Sequence, residues 1–261
     1  MPDIRDELSG AMSHEDPVRR AQIQMLKPLP KRFYKAVSVA AAEGDTHAVL
    51  LDGRTVRTPA KQPLAVPTRK LADMLAAEWE AQAEVIDPAR MPVTRIVNTA
   101  LDGVAKDQRS VFDDILRFAG TDMICYRADS PEGLVARQNE IWNPVLDWAR
   151  QTLGARFILA EGVIHQEQPE EALSAYAEGL RAFATPLGLT CVHTVTSLTG
   201  SALLALAFAS GRFTAEEAWT AAHVDEDWQI EHWGTDEEAF RRRENRWQEM
   251  LATAAVLDAL R

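Results

Sequence analysis

The sequence predicts an α+β protein in which a small β-rich N-terminal domain precedes a larger all-α C-terminal domain. Three observations carry that prediction. An Asp-Gly pair joins two aliphatic, β-branched runs at Val49–Val56. The hydrophobic period changes at Thr68 from strand-like alternation to about 3.6 residues. Beyond residue 91, helix start and stop signals recur with almost no strand pattern. The expected divisions are a polar lead-in arm over 1–26, the β-rich domain with one helix over 27–90, and the helical domain over 91–261.

In chain order, Lys27-Pro28-Leu29-Pro30 ends any helix in the arm, since proline lacks an amide donor and clashes with the preceding turn. Phe33 to Val39 alternates and reads as a strand. Asp52-Gly53 suits a two-residue type I′ turn, whose central residues both need positive φ, and it sets Val49 opposite Val56. Pro59, Pro63 and Pro67 bracket Leu64-Ala65-Val66, as expected of a short edge strand. Thr68 then caps a helix whose inward face is Leu71, Met74, Leu75, Glu78 and Trp79, apolar apart from the glutamate. Asp87-Pro88 and Met91-Pro92 mark the boundary between the two parts.

In the helical part, Ser130-Pro131-Glu132 starts a helix with proline at its first position. Pro144 splits or kinks the stretch that ends at Gly154. Pro169 and Thr185-Pro186 bracket another helix. Thr214 and Glu217 form a capping box opening a helix that Gly234 closes, and Asp236 opens a last helix running to residue 261. Phe157-Ile158-Leu159 reads as a lone strand.

Composition excludes several classes of function. The apolar fraction is 46% with 39 acids against 28 bases, a net charge of −11, so a basic phosphate-tracking face is not expected and nucleic acid is not a partner. Cys125 and Cys191 lack paired spacing and read as buried thiols of a reducing compartment. The most apolar run, Ala202–Ala209, falls far short of the roughly 20 residues that span a bilayer, and reads as a core helix. The start, Met1-Pro2-Asp3-Ile4-Arg5-Asp6-Glu7, has neither a basic-then-apolar secretory order nor the character of a transit peptide, so a cytoplasmic location is expected.

The densest polar stretch is the end of the penultimate helix and the turn after it. Helical spacing places His223, Asp227 and Glu231 on one face, and Asp225, Trp228, Gln229 and His232 on a neighbouring one. His223, Asp227 and Glu231 offer one nitrogen and two carboxylates, which is the donor mix of a small metal-dependent hydrolase. A solvated or partner-binding face is the plainer reading of the same spacing. Ser197, Ser201, Cys125 and Cys191 lack a nucleophile-elbow context, His193 reads as a satisfied core histidine, and no phosphate or dinucleotide loop occurs. Arg241, Arg242, Arg243 and Arg246 alternate with Glu237, Glu238 and Glu244, as in an exposed helix laced by i, i+4 pairs. Trp228 and Trp233, five residues apart, point to different faces, so at least one indole is exposed and available for recognition.

Taken together, Lys31-Arg32-Phe33-Tyr34, Leu51-Asp52-Gly53-Arg54 with Thr58-Pro59, Glu78-Trp79-Glu80-Ala81-Gln82, Met91-Pro92-Val93-Thr94-Arg95 and Thr121-Asp122-Met123-Ile124-Cys125-Tyr126 form one ordered series. Trp142-Asn143-Pro144, Thr196-Ser197-Leu198-Thr199-Gly200-Ser201 and Gln229-Ile230-Glu231-His232-Trp233-Gly234 continue it. Over about residues 30–245 the series resembles the F1 ATP synthase assembly chaperones that escort the alpha subunit, in the form found in bacteria. The resemblance implies a β-rich domain followed by a helical one. It also implies a chaperone without catalytic turnover, which shields unassembled alpha subunit until beta subunit replaces it; no catalytic residue, no cofactor and a monomer are expected with it. It marks Glu237 as functionally important. Glu238 departs from the aromatic expected there in mitochondrial relatives. With Glu237, the expected partner-binding residues are Trp233, Gln229, Trp228 and Glu231, on a surface where residues 223–240 meet the β domain. The competing readings are the metal-dependent hydrolase and an adaptor for some other client.

Overall fold

A computed structural model describes residues 28–161 and 166–261; the expected lead-in arm lies outside the described residues. Strands β1 (Val37–Ala42) and β2 (Thr46–Leu51) pair antiparallel with Val37 opposite Leu51. The chain turns at Asp52 and Gly53, with φ of 48° and 78°, into β3 (Arg54–Thr55). Both angles are positive, as a type I′ turn requires. Val56 N–H donates to the Val49 carbonyl at 2.9 Å, the cross-strand pair expected from the sequence. The short strand β4 (Ala65–Val66) also pairs with β2, antiparallel.

The first strand begins at Val37, four residues later than the alternation from Phe33 predicts. Side chains distant in sequence hold the preceding residues. The Asp52 carboxylate accepts from Lys35 N–H and Ala36 N–H, at 3.1 and 2.9 Å. The Arg32 guanidinium donates to the Glu80 carbonyl at 2.9 Å and to the Gln82 carbonyl. Amides committed to a carboxylate are not free to join a ladder.

Helix α1 (Arg69–Glu80) starts where Thr68 Oγ1 accepts from Leu71 N–H at 3.2 Å, and it buries Leu71, Ala72 and Leu75. Glu78, the one acid on its apolar face, reaches the start of α2 (Pro92–Asp102). Its carboxylate accepts from Val93 N–H and Thr94 N–H, both at 2.7 Å, so it caps a helix that has no side-chain cap of its own. Burial raises the Glu78 carboxyl above the usual range, opposed by its bonds to Thr94 and Val93.

Next come α3 (Gln108–Gly120), α4 (Glu132–Trp148), α5 (Glu170–Leu180) and α6 (Pro186–Thr199). They are followed by α7 (Ala202–Ala209), α8 (Ala215–Ala222), α9 (Val224–Trp233) and α10 (Glu237–Leu260). Every residue of α7 is buried, and it forms the centre of the helical part, as its length and composition predict. Asp122 lies fully buried beneath it, its carboxylate accepting from Leu203 N–H at 2.8 Å and Ile124 N–H at 3.2 Å. Cys125 and Cys191 are buried free thiols, and burial pushes Cys191 up to about 12. A continuous buried cluster runs from Val49 and Leu71 through Leu204 to Val256, linking sheet and helices.

Four local expectations change. Strand β5 (Tyr126–Arg127) pairs in parallel with β6 (Ala160–Glu161), so the strand lies just past Phe157–Leu159 and the helical part is not purely helical. The Gln168 amide occupies both the N–H and the carbonyl of Ile158, at 2.8 and 2.9 Å, in place of a strand partner. Pro131 sits at the cap of α4 rather than at its first position, and α4 runs through Pro144 into a π-helical turn over residues 149–153 that Gly154 closes with φ of 76°. The helix opened by the Thr214–Glu217 capping box ends at Ala222. His223 there, with φ of −115° and ψ of 19°, donates from Nδ1 to the Trp219 carbonyl at 2.7 Å and separates α8 from α9.

Candidate functional site

Helices α9 and α10 form an elbow at Gly234-Thr235, where Gly234 takes φ of 86° and ψ of 177°, a conformation open essentially to glycine alone. Two helical faces meet across this elbow. Glu226, Gln229, Ile230 and Trp233 recur at i, i+3, i+4 and i+7 on α9; Asp236, Ala239, Phe240 and Arg243 do the same at the start of α10. With Asp227 they line a groove of about 520 Å³. Trp233 is 79% exposed and Phe240 59% exposed, although large aromatics normally lose most of their surface on folding.

The opposite face of α9 anchors the elbow to α4. Gln138 Nε2 donates to Asp225 Oδ1 at 2.7 Å, and Arg137 Nη2 donates to Glu231 Oε1 at 2.9 Å. The Arg137 guanidinium also lies 5.6 Å from the Trp228 ring centre, a cation–π distance. The Trp228 indole presses so closely on Gly133 that a Cβ there would meet its Cη2 at 2.7 Å. On α10, Arg243 Nη1 donates to Asp227 Oδ1 at 2.5 Å, and Arg246 donates to the Leu198 carbonyl at 2.6 Å. Polar ties thus fix the elbow from both sides: Gln138 and Arg137 behind α9, and Arg243 to Asp227 between its two helices.

The expected residues separate along these lines. Trp233 and Gln229 line the groove. Trp228 and Glu231 belong to the face that packs on α4. Glu237 stands on the outer rim, its carboxylate accepting from Arg241 at 3.1 Å. The i, i+4 arginine ladder holds for Arg241 with Glu237 and Arg242 with Glu238, whereas Arg243 and Arg246 turn inward to Asp227 and Leu198. Phe240 and Glu226 carry no motif of their own, and Ile230 and Asp236 enter the sequence reading only as part of a string and as a helix start, not as partner-binding residues. The signal that could have found them is the pair of matching i, i+3, i+4, i+7 runs on either side of Gly234.

The expectation that residues 223–240 meet the β domain is overturned. The end of α10 that reaches the sheet-bearing part is the C-terminal one, where Thr68 Oγ1 donates to the Ala259 carbonyl at 2.7 Å and Lys70 Nζ to Asp258 at 2.5 Å. The groove lies towards the other end of this 24-residue helix, with Phe240 about 27 Å from Asp258 at the usual helical rise.

The metal-site arrangement is not formed. His223 is turned to the Trp219 carbonyl, Asp227 is held by Arg243 and Glu231 by Arg137, so the three side chains do not converge. His193 is half-buried rather than a core residue, and its Nε2 lies 2.8 Å from Asp114 Oδ2. Ser201 is the buried cap of α7, accepting from Leu204 N–H at 3.0 Å. Among the described residues no helix is long and apolar enough to cross a membrane.

Comparison with known proteins gives a consistent answer. The sequence profile of a family described as "ATP12 chaperone protein" matches residues 31–150. A candidate chaperone of Agrobacterium tumefaciens, known from its crystal structure, is 58% identical with a TM-score of 0.87, over 98% of this chain and 96% of that one. Atp12 from Paracoccus denitrificans is 40% identical with a TM-score of 0.84, over 89% of this chain and 99% of its own. The mitochondrial protein atp12 of Schizosaccharomyces pombe is 23% identical over 253 residues, which is 91% of this chain and 85% of that protein. With identity of this level along nearly the whole length of the Paracoccus protein, the chain belongs to the ATP12 chaperone family.

Proposed function

We propose that this protein is a molecular chaperone for F1 ATP synthase assembly that binds the unassembled alpha subunit and shields it until it pairs with beta, acting as a monomer without a cofactor. The observation that carries the reading is the groove edged by the exposed rings of Trp233 and Phe240 on a member of a chaperone family. An unassembled subunit exposes apolar interface that aggregates, and a holder needs apolar anchors with a few directed polar groups, at an affinity low enough for displacement. Trp233 and Gln229 supply anchor and polar group. Trp228 and Glu231 hold α9 at the correct angle, and Glu237 on the rim is the residue that the family resemblance marks as important.

Gel filtration of the protein mixed with purified alpha subunit at equal molarity tests this. The expected result is a one-to-one complex, lost on Trp233→Ala or Glu237→Lys while the free variants elute as the native monomer. Co-elution that survives both substitutions would remove the groove from the account. No complex with the native chain would favour an adaptor for another client.

A further inference from the structure

Most carboxylates of the elbow already have a cation. Asp227 is held by Arg243, Glu231 by Arg137, Glu237 by Arg241 and Glu238 by Arg242. Two acids that line the groove, Glu226 on α9 and Asp236 at the start of α10, have no lysine or arginine bridge among the described residues, and Arg243 in the same lining is taken by Asp227. The ionisable neighbour of Glu226 is His223, with Nε2 3.8 Å away. Burial holds that imidazole below its ordinary range, so it is neutral at pH 7 and does not cancel the charge. Asp236 uses one oxygen to cap Ala239 N–H at 2.8 Å, and the start of α10 offsets part of its charge. Ile230, Trp233, Ala239 and Phe240 make the apolar part of the same lining.

Resting on the reading of the groove as the client surface, we propose that it accepts a partner segment in which a bulky apolar side chain stands next to a lysine or arginine. The apolar side chain lies against Trp233 and Phe240, and the cation pairs with Glu226 or Asp236 in the same lining. At about 520 Å³ the groove falls within the roughly 300–1,000 Å³ typical of ligand pockets. Charge complementarity singles out this occupant. A second copy of the chain carries a net charge of −11 and is repelled by the same acids, whereas a basic segment gains both attraction and an apolar seat.

Fluorescence anisotropy with two labelled synthetic dodecapeptides tests the inference. One peptide presents Leu-Phe flanked by lysines, and the other carries glutamates in place of those lysines. The lysine peptide should bind at least tenfold more tightly at low salt, and added salt should narrow the ratio. The ratio should collapse towards one in a Glu226→Gln, Asp236→Asn double variant, which keeps the cap oxygen of α10. Trp233→Ala should weaken binding of the lysine peptide at least tenfold. Equal binding of the two peptides, no binding of either, a ratio unchanged in the double variant, or undiminished binding by Trp233→Ala overturns it. The client assignment is separated by a parallel assay of alpha-subunit aggregation. Protection by the double variant equal to that of the native chain leaves the chaperone reading standing and overturns the charge reading. Selective peptide binding without protection of alpha supports the groove chemistry and removes the client.

Discussion

Trp233 is 79% exposed, with the His232 ring centre 5.9 Å from its own, and stability alone gives no reason to keep an indole there. Trp233→Ala should change the unfolding free energy by less than about 0.5 kcal/mol, the usual range for an exposed position, while abolishing client binding. A urea titration beside the gel-filtration assay checks both halves. Asp122 is the opposite case: fully buried, its carboxyl pushed up to about 6 by desolvation despite its bonds to Leu203, Ser201 and Ile124. The native state therefore holds the proton more tightly than the unfolded chain, whose ordinary value is 3.8. That contribution is fully present below pH 3.8 and is lost as pH rises through about 6, a swing of roughly 3 kcal/mol. Urea midpoints taken across that range should show the stability advantage of the native chain over Asp122→Asn shrinking as pH rises; an advantage independent of pH would refute it. At this scale sequence shows what acts locally, such as Thr68, Thr214 and Asp236 as caps. It does not show Glu78 capping a helix fifteen residues on or Asp122 reaching Leu203, because those partners meet only after folding.

At the scale of elements, the groove depends on how α9 is seated on α4. Gly133→Ala would drive a methyl group into the Trp228 ring, so either the indole or the helix must move. The expected cost is about 1–3 kcal/mol, the range for overpacking, together with weakened client binding although Gly133 lies outside the groove. Thermal unfolding and the complex assay measure the two effects, and normal stability with normal binding would show that the seat is unimportant. Glu78→Ala should cost more than a surface substitution, about 1–3 kcal/mol, because it strips the acceptor from two amides at the start of α2. Element type is readable wherever period and caps agree, as in α1, α7 and α10. The misplaced boundaries are those set by side chains from elsewhere: Asp52 and Arg32 before β1, and Gln168 beside Ile158. The break between α8 and α9 escaped because the stretch from Thr214 to Gly234 carries one start signal and one stop signal but conceals His223 between them.

At the scale of the whole molecule, α10 spans from the sheet-bearing part to the groove, and the continuous core runs beneath its C-terminal part from Met250 to Ala259. The groove thus projects from a fixed body, an arrangement that suits reversible holding of a large partner better than enclosure of a small one. The α+β architecture was legible because its two periods occupy separate stretches of sequence. The groove was legible only in part: Trp233 and Gln229 could be named from one helix, but Phe240 and Asp236 face them only through the turn at Gly234. Light scattering of purified F1 alpha subunit diluted from denaturant, with and without an equal molarity of this protein, decides whether the groove protects the client. The native chain should suppress aggregation and the Trp233→Ala variant should not. Unchanged aggregation with the native chain, or full protection by the variant, would contradict it.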